Sequence, residues 1–107
     1  MGKMFRNDSQ EPDTKKTGRN TARLFVISGR VQGVGFRAFA QRAAQEIGVT
    51  GWVRNLANGD VEAHANGSLA QLDAFDARLR TGPPWCEVRN VSASDAAVSD
   101  ATGFHIR

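Results

Sequence analysis

A chain of 107 residues with a single cysteine is long enough to bury one hydrophobic core without disulfide bonds or a structural metal. Residues 1–21 carry five cations and three acids, whereas residues 22–107 carry nine cations and eight acids. The second part is therefore nearly neutral, which argues against a nucleic-acid-binding domain. No apolar run is long enough for a signal peptide or a membrane span, and the lone Cys86 favours a reducing, cytoplasmic location.

Residues 1–21 are polar and show neither helical nor strand periodicity, so we expect a disordered leader ahead of one folded domain over residues 22–107. The domain begins with an almost unbroken apolar run, Ala22 to Ser28, which is typical of an interior strand of a sheet. After a glycine-containing loop, apolar residues recur every three to four positions from Phe36 to Ile47. This spacing predicts an amphipathic helix that Gly48 closes in the left-handed conformation.

The middle of the domain is predicted to form a β-hairpin. Strand-like segments at Val49 to Leu56 and Val61 to Ala65 flank Asn58-Gly59, a dipeptide that favours a tight hairpin turn. Alternation along the second strand places His64 on the face opposite the core. Because no second histidine or cysteine lies nearby in the sequence, we expect His64 to be a surface residue rather than a base or a metal ligand.

A second helix is predicted to begin at a capping box of Ser68 and Gln71 and to end before Gly82-Pro83-Pro84. Its predicted apolar stripe consists of Leu69, Leu72, Phe75 and Leu79. The segment Glu87 to Ser94 then predicts a fourth strand. After a polar loop, Phe104 to Arg107 can add a short closing strand.

The order β, α, β, β, α, β predicts an α+β fold, the ferredoxin-like α/β sandwich. In this fold two helices pack on one face of an antiparallel sheet, here with a possible short fifth strand at the C-terminus. The two βαβ crossovers are expected to be right-handed. The fold hosts many functions, so function has to be argued from a site.

The segment between the first strand and the first helix, residues 29–37, reads Gly-Arg-Val-Gln-Gly-Val-Gly-Phe-Arg. Its three glycines allow positive φ angles and a close approach of backbone amides to a ligand. The loop leads into a helix N-terminus, which favours an anion, and Arg37 in the first turn adds donors matched to a phosphate. These features predict a phosphate-binding loop, although the spacing is neither that of a Walker A motif nor G-x-G-x-x-G. An ordinary strand-to-helix turn with solvated arginines is the alternative.

Taken together, this loop and four other segments resemble the acylphosphatase family over about residues 22–107. The four segments are Gly51-Trp52-Val53-Arg54-Asn55, Asn58-Gly59-Asp60-Val61, Gly82-Pro83-Pro84 and Phe104-His105-Ile106-Arg107. The resemblance implies an enzyme that hydrolyses the carboxyl–phosphate bond of acyl phosphates to a carboxylate and inorganic phosphate. It also implies a reaction without a metal or another cofactor.

The resemblance assigns roles to particular residues. Arg37 is expected to bind the phosphoryl group together with loop amides, and Asn55 is expected to hold the attacking water. The loop amides are those of Gln32, Gly33, Val34, Gly35 and Phe36. We expect a monomer that acts on a small acyl phosphate, is competed by inorganic phosphate or sulfate, and binds neither nucleic acid nor membrane.

No general acid, base or nucleophile stands out in these motifs, and the substrate class explains why none is needed. A carboxylate whose parent acid has a pKa of about 4 leaves without being protonated. The loose transition state of phosphoryl transfer allows an oriented water to attack without a strong base. From the residues alone, Asn55 could instead bond its own turn, and Arg30 could anchor the loop or be solvated.

Two alternatives belong to other functional classes. The first is a non-catalytic anion-binding or regulatory module built on the same fold. The second is an RNA-binding domain, which is disfavoured because the predicted strands lack interleaved aromatic and basic residues.

Of the remaining residues, Trp52 is expected in the core or in a pocket wall, and Cys86 is expected to be a spectator.

Overall fold

A computed structural model of the chain describes residues 21–107, and the predicted leader lies outside this part except for Thr21. In chain order the elements are β1 (Thr21–Arg30), α1 (Phe36–Ile47), β2 (Thr50–Asn55), β3 (Val61–Gly67), α2 (Leu69–Thr81), β4 (Glu87–Ala96) and β5 (Phe104–Ile106). None of the helices in residues 21–107 is long and apolar enough to cross a membrane.

The five strands form one sheet in the spatial order β4-β1-β3-β2-β5. Neighbouring strands are antiparallel except β5, which pairs in parallel with β2, with Phe104 opposite Gly51. The ferredoxin-like fold is therefore confirmed, including the short fifth strand, and β1 is interior as its apolar run predicted. The sheet is mixed rather than wholly antiparallel, because β5 is added in parallel at the β2 edge.

The strand topology determines which loops meet. Strands β1 and β2 run in the same direction, because each is antiparallel to β3, which lies between them. Val61, the first residue of β3, pairs with Ile27 on one side and with Asn55 on the other. The loop after β1 and the last residue of β2 therefore lie at the same end of the sheet, next to the start of β3.

The core lies between the helices and one face of the sheet. Phe25 from β1, Phe75 from α2 and Phe104 from β5 form an edge-to-face cluster with ring centroids 5.5 and 5.6 Å apart. Such aromatic pairs contribute about 0.5–1.5 kcal/mol beyond the burial of their area. Because Phe104 begins β5, this cluster holds the short last strand against the core and so fixes the position of Ile106 and Arg107.

The predicted helix ends are confirmed. Helix α1 ends at Gly48, which has a φ of 98° and donates its N–H to the carbonyl of Ala44. At the start of α2, the Ser68 Oγ accepts from the Gln71 N–H at 3.1 Å, and the Gln71 Oε1 accepts from the Ser68 N–H at 2.9 Å. This reciprocal pair is the capping box that the sequence predicted.

One residue of the predicted α2 stripe does not face the core. Leu69 is 62% exposed, whereas Leu72, Phe75 and Leu79 are fully buried. At about 100° per residue, Leu69 lies about 120° around the helix from Phe75, so it falls at the margin of the buried face. Placing Leu69 in the core was therefore wrong.

The predicted exposure of His64 was also wrong, although its face of the sheet was right. His64 is only 8% exposed; its Nε2 lies 2.9 Å from the carbonyl oxygen of Ala97, and its ring stacks on Trp52 at 5.9 Å. The chain that follows β4 covers this part of the outer face. Trp52 lies on the same outer face, with the Arg107 guanidinium 4.5 Å from its ring centroid, and not in the core.

Candidate active site

The glycine-containing loop exposes a row of main-chain donors. Gly33 and Gly35 have φ angles of 75° and 84°, and Gly35 precedes α1 as an N-cap without a side-chain hydrogen bond. No group among residues 21–107 accepts a hydrogen bond from the N–H groups of residues 33–37. These donors lie at the positive end of the α1 dipole, where an anion is favoured.

A cavity of about 180 Å³ lies between this loop, the end of β2 and β5. It is lined by Val31, Gly33, Gly35, Phe36, Arg37, Ala38, Asn55 and Ile106. Five of the seven residues assigned roles in the sequence analysis therefore line one cavity. The other two, Gln32 and Val34, belong to the loop but do not line the cavity.

No Asp or Glu side chain within residues 21–107 forms an ion pair with Arg37. Its half-buried side chain donates from Nη1 to the main-chain oxygen of Arg107 at 3.1 Å. Arg107 is itself held by its N–H, which donates to the Val53 carbonyl at 2.8 Å. One contact to β5 thus orients the guanidinium and leaves its other N–H groups for a ligand.

Asn55 has a free side-chain amide at the rim of the same cavity. Asn55 ends β2 and is exposed, and its side chain has no hydrogen-bond partner among residues 21–107. The following turn is closed by other groups: Leu56 N–H donates to the Asp60 carbonyl at 2.8 Å, and Asp60 N–H donates to the Asn58 Oδ1 at 3.0 Å. The amide of Asn55 is therefore available to a water or a ligand.

The Gln32 side chain connects the loop to the hairpin. Its Nε2 donates to the carbonyls of Leu56 at 2.7 Å and Asp60 at 2.8 Å, so both of its N–H groups are used. Leu56 directly follows Asn55. This contact between the two halves of the site was missed in the sequence analysis, which considered only the main-chain amide of Gln32.

Two other residues discussed in the sequence analysis stay outside the cavity. Arg30 is exposed and does not line it. Cys86 packs partly buried against the core, and this burial raises the pKa of its thiol. A raised pKa disfavours the thiolate that nucleophilic attack or metal binding requires.

The rest of the described structure offers no comparable site. Within residues 21–107, no group of three or more His, Cys, Asp and Glu side chains is placed to hold a metal ion. A larger cavity of about 510 Å³ lies at the opposite end of the sheet, between Gly48, Asn66 and Gly103. No charged side chain lines that cavity, so it has no positive charge comparable to that of Arg37.

Comparisons with known proteins identify the family of this chain. The family model described as acylphosphatase matches residues 23–106. This chain belongs to the acylphosphatase family. An acylphosphatase from Solibacter usitatus is 45% identical over 86 residues, which cover 80% of this chain and 90% of the relative. One from Azoarcus sp. strain BH72 is 48% identical over 83 residues, covering 78% and 85% of the two chains.

The fold comparison gives the same family. The solved structure of an acylphosphatase from Coxiella burnetii superposes with a TM-score of 0.81 at 38% identity, covering 87% of this chain and 97% of that one. The family match spans β1 to β5, and so includes the loop, Arg37 and Asn55. The small cavity is therefore the candidate active site of this family member.

Proposed function

We propose that this chain, as an acylphosphatase, hydrolyses the carboxyl–phosphate bond of small acyl phosphates in the 180 Å³ cavity. The observation that carries the proposal is the meeting of three free groups at one cavity. They are the guanidinium of Arg37, which no Asp or Glu side chain within residues 21–107 pairs with, the row of N–H groups at residues 33–37, and the side-chain amide of Asn55. The first two suit an anion, and the third suits a water molecule.

The phosphoryl group is bound by charge and by oriented dipoles. The Arg37 side chain is held before substrate arrives, because it projects from α1 and donates to the main-chain oxygen of Arg107. Donors that are already oriented stabilise the charge spread over the equatorial phosphoryl oxygens without reorganising during the reaction. The amides of Gly33, Gly35 and Phe36 line the cavity, and those of Gln32 and Val34 complete the loop in this proposal.

The attacking water is oriented by Asn55. Its oxygen forms a bond to phosphorus while the bond from phosphorus to the carboxylate oxygen breaks. The carboxylate leaves with the bonding electron pair and needs no proton, because its parent acid has a pKa of about 4. The water's proton goes to solvent or to the phosphate product, so proximity and electrostatics replace a general base.

The proposed partners follow from the same chemistry. Inorganic phosphate and sulfate compete with substrate, since they match the phosphoryl end of it. No step of this mechanism uses a metal or a cofactor. The protein is proposed to act as a monomer, because residues of one chain line the cavity. A cytoplasmic location is proposed because the single cysteine cannot form an intramolecular disulfide.

A direct assay tests this function. The purified chain is incubated with benzoyl phosphate and acetyl phosphate, with a phosphate monoester as the control substrate, with and without a chelator. We expect hydrolysis of both acyl phosphates, little hydrolysis of the ester, and no effect of the chelator. Phosphate binding without acyl phosphate hydrolysis would instead indicate the non-catalytic anion-binding module.

A further inference from the structure

Trp85 makes a contact that the proposed reaction does not use. It lies between α2 and β4 and is 66% exposed, although it is one of the largest apolar side chains. Its indole N–H donates to the main-chain carbonyl of Val34, 51 residues away in the loop beside the cavity. The same indole nitrogen would lie 3.8 Å from a Cβ built on Gly35.

This contact fixes the direction of a donor in the cavity. The Val34 carbonyl and the Gly35 N–H belong to one peptide unit, and in a trans peptide these two groups point in opposite directions. A bond that holds the carbonyl toward Trp85 therefore holds the N–H away from it. Gly35 lines the cavity, and its N–H has no acceptor among residues 21–107.

The loop needs such a constraint because one of the two residues that flank this peptide is a glycine. Gly35 has a φ of 84° and no Cβ, so it offers little resistance to rotation of the Val34–Gly35 peptide. A rotated peptide would present a carbonyl oxygen in place of the N–H, and that oxygen would repel an anion. Within residues 21–107, the Val34 carbonyl accepts a hydrogen bond from the Trp85 indole and from no main-chain N–H.

We propose that Trp85 is a positioning residue that holds the Val34–Gly35 peptide with its N–H available to the phosphoryl group. This inference rests on the proposed function, since it requires that the loop amides bind phosphate. Trp85 acts through the loop and does not touch the reacting atoms. Its effect on an anion depends on the indole N–H, and not on the ring as an apolar surface.

Two variants separate the N–H from the ring. Trp85→Phe keeps an aromatic ring and removes the donor, whereas Trp85→Ala removes both. Leu69→Ala is the matched control, because Leu69 is also a large exposed apolar residue (62% exposed) and does not line the cavity. The measured quantities are the inhibition constant of inorganic phosphate and kcat/KM for benzoyl phosphate.

We expect Trp85→Phe and Trp85→Ala to weaken phosphate inhibition about fivefold each, the scale of one hydrogen bond, with a similar loss in kcat/KM. Leu69→Ala should leave both quantities unchanged. Wild-type values for Trp85→Phe would overturn the proposal. A loss in Trp85→Ala that Trp85→Phe does not share would also overturn it, because the ring would then matter and the N–H would not.

Nuclear magnetic resonance of the ¹⁵N-labelled chain gives a readout that a purely structural role would not move. The chain has two tryptophans, so the Trp52 indole serves as an internal reference. We expect Trp85→Phe to reduce the shift of the Gly35 amide on phosphate titration and to leave the Trp52 indole signal in place. An unchanged Gly35 response contradicts the proposal.

Arg37→Ala, measured in parallel, distinguishes the two possible failures. If Arg37→Ala abolishes phosphate binding and Trp85→Phe has no effect, only the role of Trp85 is refuted. If Arg37→Ala binds phosphate normally, the proposed function itself is refuted.

Discussion

Arg37 combines two features that suit it to bind a phosphoryl group: no Asp or Glu side chain within residues 21–107 pairs with it, and the Arg107 main-chain oxygen orients it. We predict that Arg37→Ala lowers kcat/KM for benzoyl phosphate by about 10³-fold or more, the scale for losing a charge partner of the transition state. Arg30→Ala is the matched control, since Arg30 is exposed and outside the cavity, and it should retain activity. Full activity of Arg37→Ala would contradict the proposed mechanism.

Asn55 is proposed to act on water and not on the anion. Asn55→Ala should therefore lower kcat by about 10²-fold or more, the range for removing one transition-state partner, while the phosphate inhibition constant changes little. Steady-state kinetics with phosphate as inhibitor measures both quantities on the same variant. An equal loss of phosphate affinity in Asn55→Ala and Arg37→Ala would contradict the separate roles, because it would show that Asn55 also binds the anion.

At the scale of elements, the site depends on how the loop is joined to the β2–β3 hairpin. Gln32 donates to the carbonyls of Leu56 and Asp60, and each of these carbonyls also accepts from a main-chain N–H of the turn. We predict that Gln32→Ala lowers the free energy of unfolding by about 1–2 kcal/mol, the range for one or two net hydrogen bonds. The variant should also lower kcat. One of the lost bonds holds Leu56, which directly follows Asn55, so the Asn55 amide would be positioned less firmly.

Gln32→Met tests whether the volume of the side chain, without its hydrogen bonds, is sufficient for wild-type stability and activity. Urea denaturation and the acyl phosphate assay are measured on both variants. Wild-type stability and activity for Gln32→Met would show that the two hydrogen bonds do not brace the site.

The pairing of β2 with β3 imposes a second requirement at this scale. Gly51 has a φ of 145°, and a Cβ at this position would lie 1.8 Å from the carbonyl oxygen of His64. We predict that Gly51→Ala destabilises the fold by about 3 kcal/mol or more, because β2 and β3 would have to separate. Gly59→Ala is the control; its Cβ meets nothing within 4 Å, so only the strain of its φ of 99° remains, about 1 kcal/mol.

Urea denaturation of both variants measures the difference. Equal losses in Gly51→Ala and Gly59→Ala would mean that backbone strain alone, and not the contact with His64, determines the cost.

At the scale of the whole molecule, the anion site couples to folding, because it is built from segments distant in sequence. Residues 33–37, Asn55 and Ile106 meet only in the folded chain. A ligand that binds only the native state stabilises it by about 2.7 kcal/mol at one hundred times its dissociation constant. We predict that phosphate raises the unfolding midpoint by this mechanism, that Arg37→Ala removes the effect, and that a chelator changes nothing.

Thermal unfolding with increasing phosphate, at constant ionic strength, measures this coupling. Sodium chloride at the same ionic strength is the control for general salt effects. An equal rise in the Arg37→Ala variant would mean that the anion binds elsewhere.

The sequence by itself determined the secondary structure, the fold and the family, because those signals are local. The spacing of apolar residues in α1, the Ser68–Gln71 capping box, Asn58-Gly59 and the glycines of the loop each act within a few residues. The order of these elements along the chain predicted the ferredoxin-like fold, and the motif with Arg37 pointed to an anion. Strand ends were less certain: β1 extends to Arg30 and β4 to Ala96, both two residues beyond the predicted ends.

The tertiary structure alone decided which groups meet across the sequence. Gln32 contacts the hairpin 24 and 28 residues away, Trp85 reaches the loop over 51 residues, and Arg37 is held by Arg107 over 70. Likewise, the chain after β4 buries His64, although alternation predicted only which face of the sheet His64 occupies. Periodicity gives the face of an element, whereas exposure and hydrogen-bond partners depend on which other segments the topology brings onto that face.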